Sequence, residues 1–341
     1  MLSKNNIFRA VWRMVFLLLA CLWIFSPALA TAADTDEPLP SWNNTAAKEA
    51  ILKFVQNAIK EGPGYIAPAE RIAAFDFDGT LVPEQPSYYQ NLFSLEVMKQ
   101  EAAANEKWAT EPIYKDLLAG NLDLAIALNE KKANDFLRGL TATKPYAKLE
   151  GDVWNWLEST HPDSKFDGRT YAELTYKPMH ELMAYLKENG FKIYIVSGSE
   201  MQFMRAVAKK LYSLPPEQII GSRFKQRLAV KGNKAELVTE NKPDVLNLGD
   251  NKAVNVYLHT GQIPVLAFGN TDSDAPLLQW VTSAPGPRLG LLLRHTDAER
   301  EFAYAEESSV GRLKNALKQA KANKWVVVDM KEDWAEVFEQ N

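Results

Sequence analysis

The chain has 341 residues, of which 46% are hydrophobic and 24% are charged. This is the composition of a globular protein that can bury a large core, either as one domain or as a core with an insert. The formal net charge is −4 and no run of Lys or Arg occurs, which argues against nucleic acid as a partner.

The first 30 residues have the layout of a secretory signal peptide. Three basic residues precede the apolar run 14–25, and the small-residue sequence from Ser26 to Ala30 resembles a cleavage site. A transmembrane anchor is the alternative, but the apolar run is short and Pro27 ends it. We therefore expect cleavage after Ala30, no stable membrane anchor in the mature chain, and a periplasmic or secreted protein.

Cys21 is the only cysteine of the chain. The three residues before it loosely resemble a lipoprotein-processing box, but the apolar stretch continues beyond it, so a lipid anchor at Cys21 is the less favoured alternative. Cleavage after Ala30 would leave the mature protein without disulfides or thiol chemistry.

Residues 31–65 are expected to be a polar lead-in followed by one amphipathic helix, which the glycines at 62 and 64 end. The apolar run Ile72 to Phe75 then predicts a buried strand. It ends abruptly in two acids, Asp76 and Asp78, followed by Gly79 and Thr80. A strand points alternate side chains the same way, so both carboxylates are expected to face one point beyond its end.

Residues 85–167 contain apolar positions at helical spacing and no convincing strand. We interpret this segment as an all-helical cap domain, inserted after the first strand of an α/β core that comprises residues 66–84 and 168–341.

The α/β pattern returns after residue 168. Apolar runs that predict strands alternate with amphipathic stretches that predict helices, which favours a Rossmann-like parallel sheet. A hairpin or two short strands are expected outside this pattern, at 219–222 and 228–230. The predicted strands are 191–196, 264–268, 289–293 and 325–328, and the predicted helices are 178–189, 200–212 and 309–324.

Three of the predicted strands end in polar clusters: Asp76 and Asp78, Ser197-Gly198, and Asn270 to Asp274. Parallel strands bring such clusters to one edge of the sheet, where α/β proteins bind ligands. Taken singly, the clusters also fit a calcium loop, an ordinary strand-to-helix turn and an Asx-rich turn. Together they suit phosphoryl transfer, with one carboxylate attacking phosphorus and the other moving a proton.

The sequence from Phe75 to Leu81 resembles the first motif of the haloacid dehalogenase superfamily. Val196 to Gly198 resembles its second motif and Gly269 to Asp274 its fourth. Lys252 is the best candidate for the third-motif lysine, before Lys234 and Lys231. The helical insert is similar to that of the phosphoserine-phosphatase-like branch, and the C-terminal part resembles secreted phosphatases of this superfamily.

The resemblance implies a role for each motif residue. Asp76 would be the nucleophile and a Mg²⁺ ligand, and Asp78 the general acid and base, binding Mg²⁺ through its carbonyl. Phosphate would be bound by Thr80, Ser197, Gly198 and Lys252, and the metal shell would be completed by Asn270 and Asp274. Most relatives have Asp where this chain has Asn270, so Asp272 is an alternative ligand.

The expected function is hydrolysis of a small phosphorylated metabolite by a Mg²⁺-dependent phosphomonoesterase. The expected reaction proceeds through an aspartyl-phosphate intermediate. The alternatives are a phosphotransferase that uses the same intermediate and a catalytically impaired binding protein. Glu84 lies one residue early for the substrate-reading Glu of phosphoserine phosphatases. Tyr88 and Tyr89 suggest either packing or cation–π contact with a quaternary amine such as phosphocholine. The four histidines show no metal-ligand spacing and are interpreted as structural or surface residues.

Overall fold

The structure, a computed structural model, describes residues 37–340, except for the side chains of residues 123, 127 and 130. The predictions for the signal peptide and for Cys21 lie outside these residues. No helix in the described part is long and apolar enough to cross a membrane.

A seven-stranded sheet forms the centre of the fold, in the order β4-β3-β2-β1-β5-β6-β7. All neighbouring strands are parallel except β3 and β4, which form an antiparallel hairpin. The predicted α/β class with a Rossmann-like parallel sheet is therefore confirmed. The strands are β1 Ile72–Phe75, β2 Lys192–Glu200, β3 Ile219–Lys231, β4 Lys234–Val245, β5 Leu266–Gly269, β6 Leu289–Arg294 and β7 Val326–Asp329.

Twelve α-helices occur in the part of the chain that the structure describes, joined by loops and short 3₁₀ turns. They are α1 Ala46–Ile59, α2 Tyr89–Glu101, α3 Lys107–Thr110, α4 Pro112–Leu118, α5 Leu122–Ala142, α6 Tyr146–Leu157, α7 Lys177–Glu188, α8 Met201–Tyr212, α9 Asp250–Thr260, α10 Ala275–Ser283, α11 Asn315–Ala322 and α12 Met330–Asp333.

Strand β1 is buried along its whole length because helices cover both faces of the sheet. Ala73 and Phe75 pack in the apolar cluster that contains residues of α1, α7 and α8. Ile72 and Ala74 belong to the opposite cluster, with residues of α9, α10 and α11. A strand buried on both faces is apolar at every position, and this explains why the run ending at Phe75 stands out in the sequence.

The helices between β1 and β2 have a small apolar core of their own. Leu95 and Met98 of α2 pack there with residues of α4 and α5, including Leu117 and Leu137. Helix α6 instead contributes Leu149, Val153 and other residues to the main core. The inserted helices are therefore anchored on the sheet through α6 and extend from it through α2 to α5.

The hairpin differs from its prediction in length. The two predicted segments, 219–222 and 228–230, both lie in β3, which has 13 residues, and the 12-residue strand β4 was not predicted. Only the start of β3 is buried, where it pairs with β2, while β4 is largely exposed. An exposed antiparallel ribbon needs no apolar pattern because backbone hydrogen bonds alone define it, so the polar stretch from Lys234 gave no strand signal.

Candidate active site

The carboxyl ends of β1, β2 and β5 meet because β1 lies between the other two strands. Each strand leads into one of the three polar clusters, and the loop after β1 lies across this edge. A cavity of about 160 Å³ opens there. Its lining comprises Asp76, Asp78, Glu84, Tyr88, Gln90, Asn91, Asn134, Arg138, Gly198, Ser199, Leu248, Lys252, Thr271 and Ser273.

Lys252 joins two of the acids. Its ammonium lies 2.7 Å from Asp76 Oδ1 and 2.5 Å from Asp274 Oδ1, and its side chain is 2% exposed. Lys252 reaches the site because α9 begins at Asp250, directly after Gly249. The alternatives Lys231 and Lys234 lie at the exposed tip of the hairpin. The structure thus places Lys252, and neither alternative, beside the candidate nucleophile.

Burial dominates the electrostatics of Asp76. Desolvation and the neighbouring Asp274 carboxylate raise the pKa of Asp76, whereas the Lys252 ammonium opposes them. The same ammonium lowers the pKa of Asp274. At Asp76 burial outweighs the ion pair and raises the pKa to about 8. The ionised form that a nucleophilic carboxylate requires therefore needs more positive charge than Lys252 alone supplies.

Asp78 is held by neutral donors. Its Oδ1 accepts a hydrogen bond of 3.0 Å from the backbone N–H of Tyr89, and its Oδ2 one of 3.3 Å from the Ser199 hydroxyl. Burial raises the pKa of Asp78 to about 6, although these hydrogen bonds oppose the shift. A carboxyl group that titrates near neutral pH can both give and take a proton, as the predicted acid–base role requires.

Asn270 lies behind the cavity wall and is bonded on both sides of its amide. Its Oδ1 accepts from the Thr80 hydroxyl at 3.1 Å, and its Nδ2 donates to Glu84 Oε1 at 2.5 Å. Thr80 is fully buried. The structure therefore gives Thr80, predicted to bind phosphate, a different partner: its hydroxyl orients the Asn270 amide.

Glu84 is 1% exposed yet lines the cavity. Besides Asn270, its Oε1 accepts a hydrogen bond of 2.8 Å from the Tyr304 hydroxyl. Desolvation raises its pKa well above the ordinary value, and the nearby Asp78 and Asp76 add to the shift. In the sequence, Glu84 was compared only with the Glu that reads the substrate in phosphoserine phosphatases. Its hydrogen bond to Asn270 of the fourth motif was not predicted.

The two acids of the fourth motif have separate tasks. Asp272 Oδ1 accepts from the backbone N–H groups of Lys314, Asn315 and Ala316 at 2.7 to 3.0 Å. It thus caps the start of α11, and its carboxylate is not part of the cavity lining. The alternative in which Asp272 replaces Asn270 as a metal ligand does not fit this placement.

Asp274 points back into its own loop. Its Oδ2 accepts from the backbone N–H of Asn270 at 3.1 Å and of Thr271 at 3.0 Å, while Oδ1 binds Lys252. Both oxygens of this predicted metal ligand are therefore engaged within the protein. A Cβ at Gly269 would lie 2.4 Å from the Asp274 Cβ, so the close packing of this loop requires glycine there.

The second motif lines the cavity through Gly198 and Ser199 instead of Ser197. Ser197 is fully buried and its Oγ accepts from the Ser199 N–H at 3.1 Å. A Cβ at Gly198 would lie 2.5 Å from Leu248 Cδ2. Glycine therefore keeps this wall open beside Leu248, within reach of a bound phosphate.

The donor set at this edge suits Mg²⁺. The cavity offers carboxylate oxygens from Asp76 and Asp78, with the Asn270 amide oxygen behind them, and hard oxygen donors are those that Mg²⁺ prefers. Within residues 37–340, no three acidic, histidine or cysteine side chains are grouped as a ready-made metal cluster. A site built from Asp76, a backbone carbonyl and an amide is consistent with both observations.

His295 reaches the first-motif loop from the C-terminal part of the chain. Its Nε2 lies 2.8 Å from the Gly79 carbonyl and its Nδ1 lies 3.0 Å from Glu301 Oε2, with all three groups buried. Gly79 has a φ of +73°, a conformation that glycine adopts without strain. His295 therefore has the structural role that was expected of the histidines, and it holds the loop after Asp78.

The cap side of the cavity was also not predicted. Asn134 and Arg138, four residues apart on α5, face it together with Gln90 of α2. Tyr88 lines the cavity, but Tyr89 does not. The Tyr89 ring packs between Phe77, Trp156 and Tyr171, and its hydroxyl donates to the Tyr171 carbonyl, so Tyr89 belongs to the core.

A family model for haloacid dehalogenase-like hydrolases matches residues 73–279, which hold β1, the inserted helices, Lys252 and the fourth motif. The chain belongs to this family. Among curated proteins it is similar to a phosphorylcholine phosphatase of Pseudomonas aeruginosa, 24% identical over 200 residues. The match covers 49% of this chain and 56% of that relative, so the chain spans little more than half the relative's length.

A crystal structure of a functionally unknown protein from Anaerococcus prevotii has a similar fold. Its TM-score is 0.51 at 14% identity, with 82% of this chain and 90% of that chain covered. A second solved structure, of a probable phosphoserine phosphatase from Vibrio cholerae, has a TM-score of 0.36 at 13% identity and covers 75% of this chain and 67% of that chain. The first of these likenesses supports the fold alone.

The pKa of Asp78 predicts how the stability of the metal-free protein depends on pH. An unfolded Asp has a pKa of about 3.9, so between about pH 4 and pH 6 only the folded state holds this proton. The free energy of unfolding should therefore fall as pH rises through this window, by about 3 kcal/mol from Asp78. Asp78→Asn removes this contribution, and urea unfolding in EDTA at several pH values measures it.

Near pH 4, Asp78→Asn and the wild type should have similar stability, and above pH 6 the variant should be the more stable. A stability difference that stays constant from pH 4 to pH 7 would contradict this electrostatic account of Asp78.

His295→Ala should destabilise the protein by about 3 to 5 kcal/mol, because it leaves both the buried Glu301 carboxyl group and the Gly79 carbonyl without their hydrogen-bond partner. Adding Glu301→Gln should recover part of the loss. His259→Ala is the control, since His259 is exposed and its hydrogen bond is to the Glu217 carbonyl, and should cost less than about 1 kcal/mol. Equal losses for the two histidines in denaturant unfolding would refute the role of His295.

Proposed function

We propose that the protein is a Mg²⁺-dependent phosphomonoesterase that hydrolyses a small phosphorylated metabolite through an aspartyl-phosphate on Asp76. Membership of the haloacid dehalogenase-like hydrolases supports a hydrolytic reaction. The observation that carries the proposal is the placement of Asp76 and Asp78 on one cavity wall, with Lys252 paired to Asp76. The Lys252 ammonium favours the ionised form of Asp76 against the effect of burial, which raises its pKa to about 8, and Asp78 titrates near neutral pH.

In the first step, a carboxylate oxygen of Asp76 attacks phosphorus and the bond from phosphorus to the leaving oxygen breaks. Protonated Asp78 gives its proton to that oxygen, so the leaving group departs as an alcohol. Asp78 then carries a negative charge, and Asp76 carries the phosphoryl group.

In the second step, Asp78 accepts a proton from water as the water oxygen attacks phosphorus. The bond between phosphorus and the Asp76 oxygen breaks, which releases inorganic phosphate and restores both acids. Tyr89 N–H and Ser199 keep the Asp78 carboxyl in place through both proton transfers. One group that titrates near pH 6 therefore serves both steps.

The phosphoryl oxygens would lie between Lys252 and the loop at Gly198 and Ser199, which line opposite parts of the cavity. Mg²⁺ would be held by Asp76 and the Asp78 carbonyl, with the Asn270 amide behind them, and would supply charge that offsets the phosphate and the acids. The carboxylates of Asp76 and Asp78 are buried, so bulk water is kept from competing with the substrate for them.

The cavity also limits the leaving group. Arg138 and Asn134 approach from α5, and Arg138 Nη1 also lies 3.9 Å from Asp135 Oδ1 of the same helix. Phosphorylcholine, the substrate named for the Pseudomonas relative, would bring a quaternary ammonium toward this guanidinium. We infer that leaving groups with an anionic or hydrogen-bond-accepting group are preferred here. Tyr88, which also lines the cavity, would instead favour a quaternary ammonium through cation–π contact.

Compartment and membrane attachment belong to the same proposal. The signal-peptide pattern of residues 1–30 supports a periplasmic or secreted enzyme without a membrane anchor. Such a compartment suits an enzyme that releases phosphate from esters outside the cytoplasm.

Asp76→Asn should lower the hydrolysis of p-nitrophenyl phosphate by about a thousandfold or more, because the amide cannot form the covalent intermediate. Asp272→Asn is the matched control in the same chain region. Asn caps helices as well as Asp does, so this variant should keep most of the activity. Phosphate release is measured for both variants, once with Mg²⁺ and once with EDTA. Bound but unhydrolysed esters in the wild type would instead indicate the impaired binding protein.

Arg138→Met should raise the KM for phosphoserine about tenfold, equivalent to ~1.4 kcal/mol, and leave that for p-nitrophenyl phosphate nearly unchanged. Lys131→Met, which removes an exposed cation from the same helix, should change neither. Steady-state kinetics with phosphoserine and phosphorylcholine tests this. A wild type that prefers phosphorylcholine, with no change in Arg138→Met, would refute the inferred selectivity.

A further inference from the structure

The fourth motif of this chain carries an amide where a carboxylate is usual, and the nearest carboxylate to that amide is Glu84. Its Oε1 lies 2.5 Å from Asn270 Nδ2, although the two residues are 186 positions apart. Asn270 Oδ1 is bonded to Thr80. The amide is thus fixed with its nitrogen toward Glu84.

Glu84 is also better placed than Asn270 to reach the cavity. It lines the cavity with Asp76 and Asp78, whereas Asn270 lies behind this wall and is not among the lining residues. The Tyr304 hydroxyl holds the same Glu84 oxygen from the other side at 2.8 Å. The carboxylate packs closely against two glycines, since a Cβ at Gly311 would lie 1.9 Å from Glu84 Oε1 and one at Gly79 would lie 2.4 Å from it.

The charges around the cavity are unbalanced without a further cation. Lys252 is paired with Asp76 and Asp274. Asp78 and Glu84 are instead bonded to neutral donors: a backbone N–H and a Ser hydroxyl for Asp78, and an amide and a Tyr hydroxyl for Glu84. Arg138 is the other cation of the cavity lining. A divalent ion beside Asp78 and Glu84 would offset the charge that their neutral donors leave uncompensated.

We propose that Glu84 supplies the metal-site charge that Asn270 lacks, so that the third acid of the site comes from the first-motif loop instead of the fourth motif. Asn270 is then a positioning residue that holds the Glu84 carboxylate at the cavity wall. This inference rests on the proposed Mg²⁺ dependence, but it concerns metal binding and not turnover.

The test is a double-mutant cycle read by Mg²⁺ binding in the absence of substrate. Isothermal titration calorimetry on the purified protein gives the Kd for Mg²⁺. Glu84→Gln keeps the side-chain shape and an oxygen that accepts from Asn270 and Tyr304, so the variant is expected to fold. It should raise the Kd at least tenfold. Adding Asn270→Asp should return the Kd to within about threefold of the wild type, because the carboxylate is restored at the usual position.

Glu200→Gln is the matched control. Glu200 is another buried acid, 3% exposed, but it caps α8 through the N–H groups of Gln202 and Phe203 and is not part of the cavity lining. Its variant should bind Mg²⁺ as the wild type does. Circular dichroism of all variants checks folding independently of the metal.

A Glu84→Gln variant with wild-type Mg²⁺ affinity would overturn the proposal. If that variant instead showed a raised KM for amine-bearing phosphoesters only, Glu84 would be a substrate-reading residue. If Asn270→Asp failed to restore the Mg²⁺ affinity of Glu84→Gln, the proposal that Glu84 replaces the missing fourth-motif charge would also be refuted. A wild type that binds no Mg²⁺ would refute it as well. A protein that shows the full cycle but hydrolyses no phosphoester would keep this inference and refute the phosphatase proposal.

Discussion

The site depends on the cost of burying four carboxylates at the end of one strand. Asp76, Asp78, Glu84 and Asp274 are each at most 8% exposed, and charges removed from water are tolerated only when cations or hydrogen bonds compensate them. Lys252 compensates two of them, and backbone and side-chain donors hold the other two. The helices, the loop at Gly79 and the C-terminal residues are arranged around this requirement.

The compensating groups come from distant parts of the chain. The sheet order places β1 at the centre, so donors from β2, α9 and the loop after β5 reach its carboxyl end directly. The remaining donors, His295 and Tyr304, come from the segment after β6. The ring of His295 also stacks on Tyr304, with centroids 4.5 Å apart, so these two contacts form one rigid unit against the loop.

The fold could be predicted from the sequence where burial produces a recognisable apolar pattern. Buried parallel strands are continuous apolar runs, so β1, β2, β5, β6 and β7 were located to within a few residues, and Lys252 followed from its position before β5. Strand β4 could not be predicted because its exposed face requires no apolar residue. The bonds of Glu84 to Asn270 and of His295 to Gly79 have no local signal either, since each joins residues about 200 positions apart.

The contact between Gly79 and His295 sets an order of events during synthesis. The two residues are 216 positions apart, so the first-motif loop leaves the ribosome long before the residue that fixes its carbonyl. This contact can therefore form only after the strands between the two residues have been synthesised. A chain cut before residue 295 would present Asp76 and Asp78 on a loop without its support, and would expose acids that the finished protein buries.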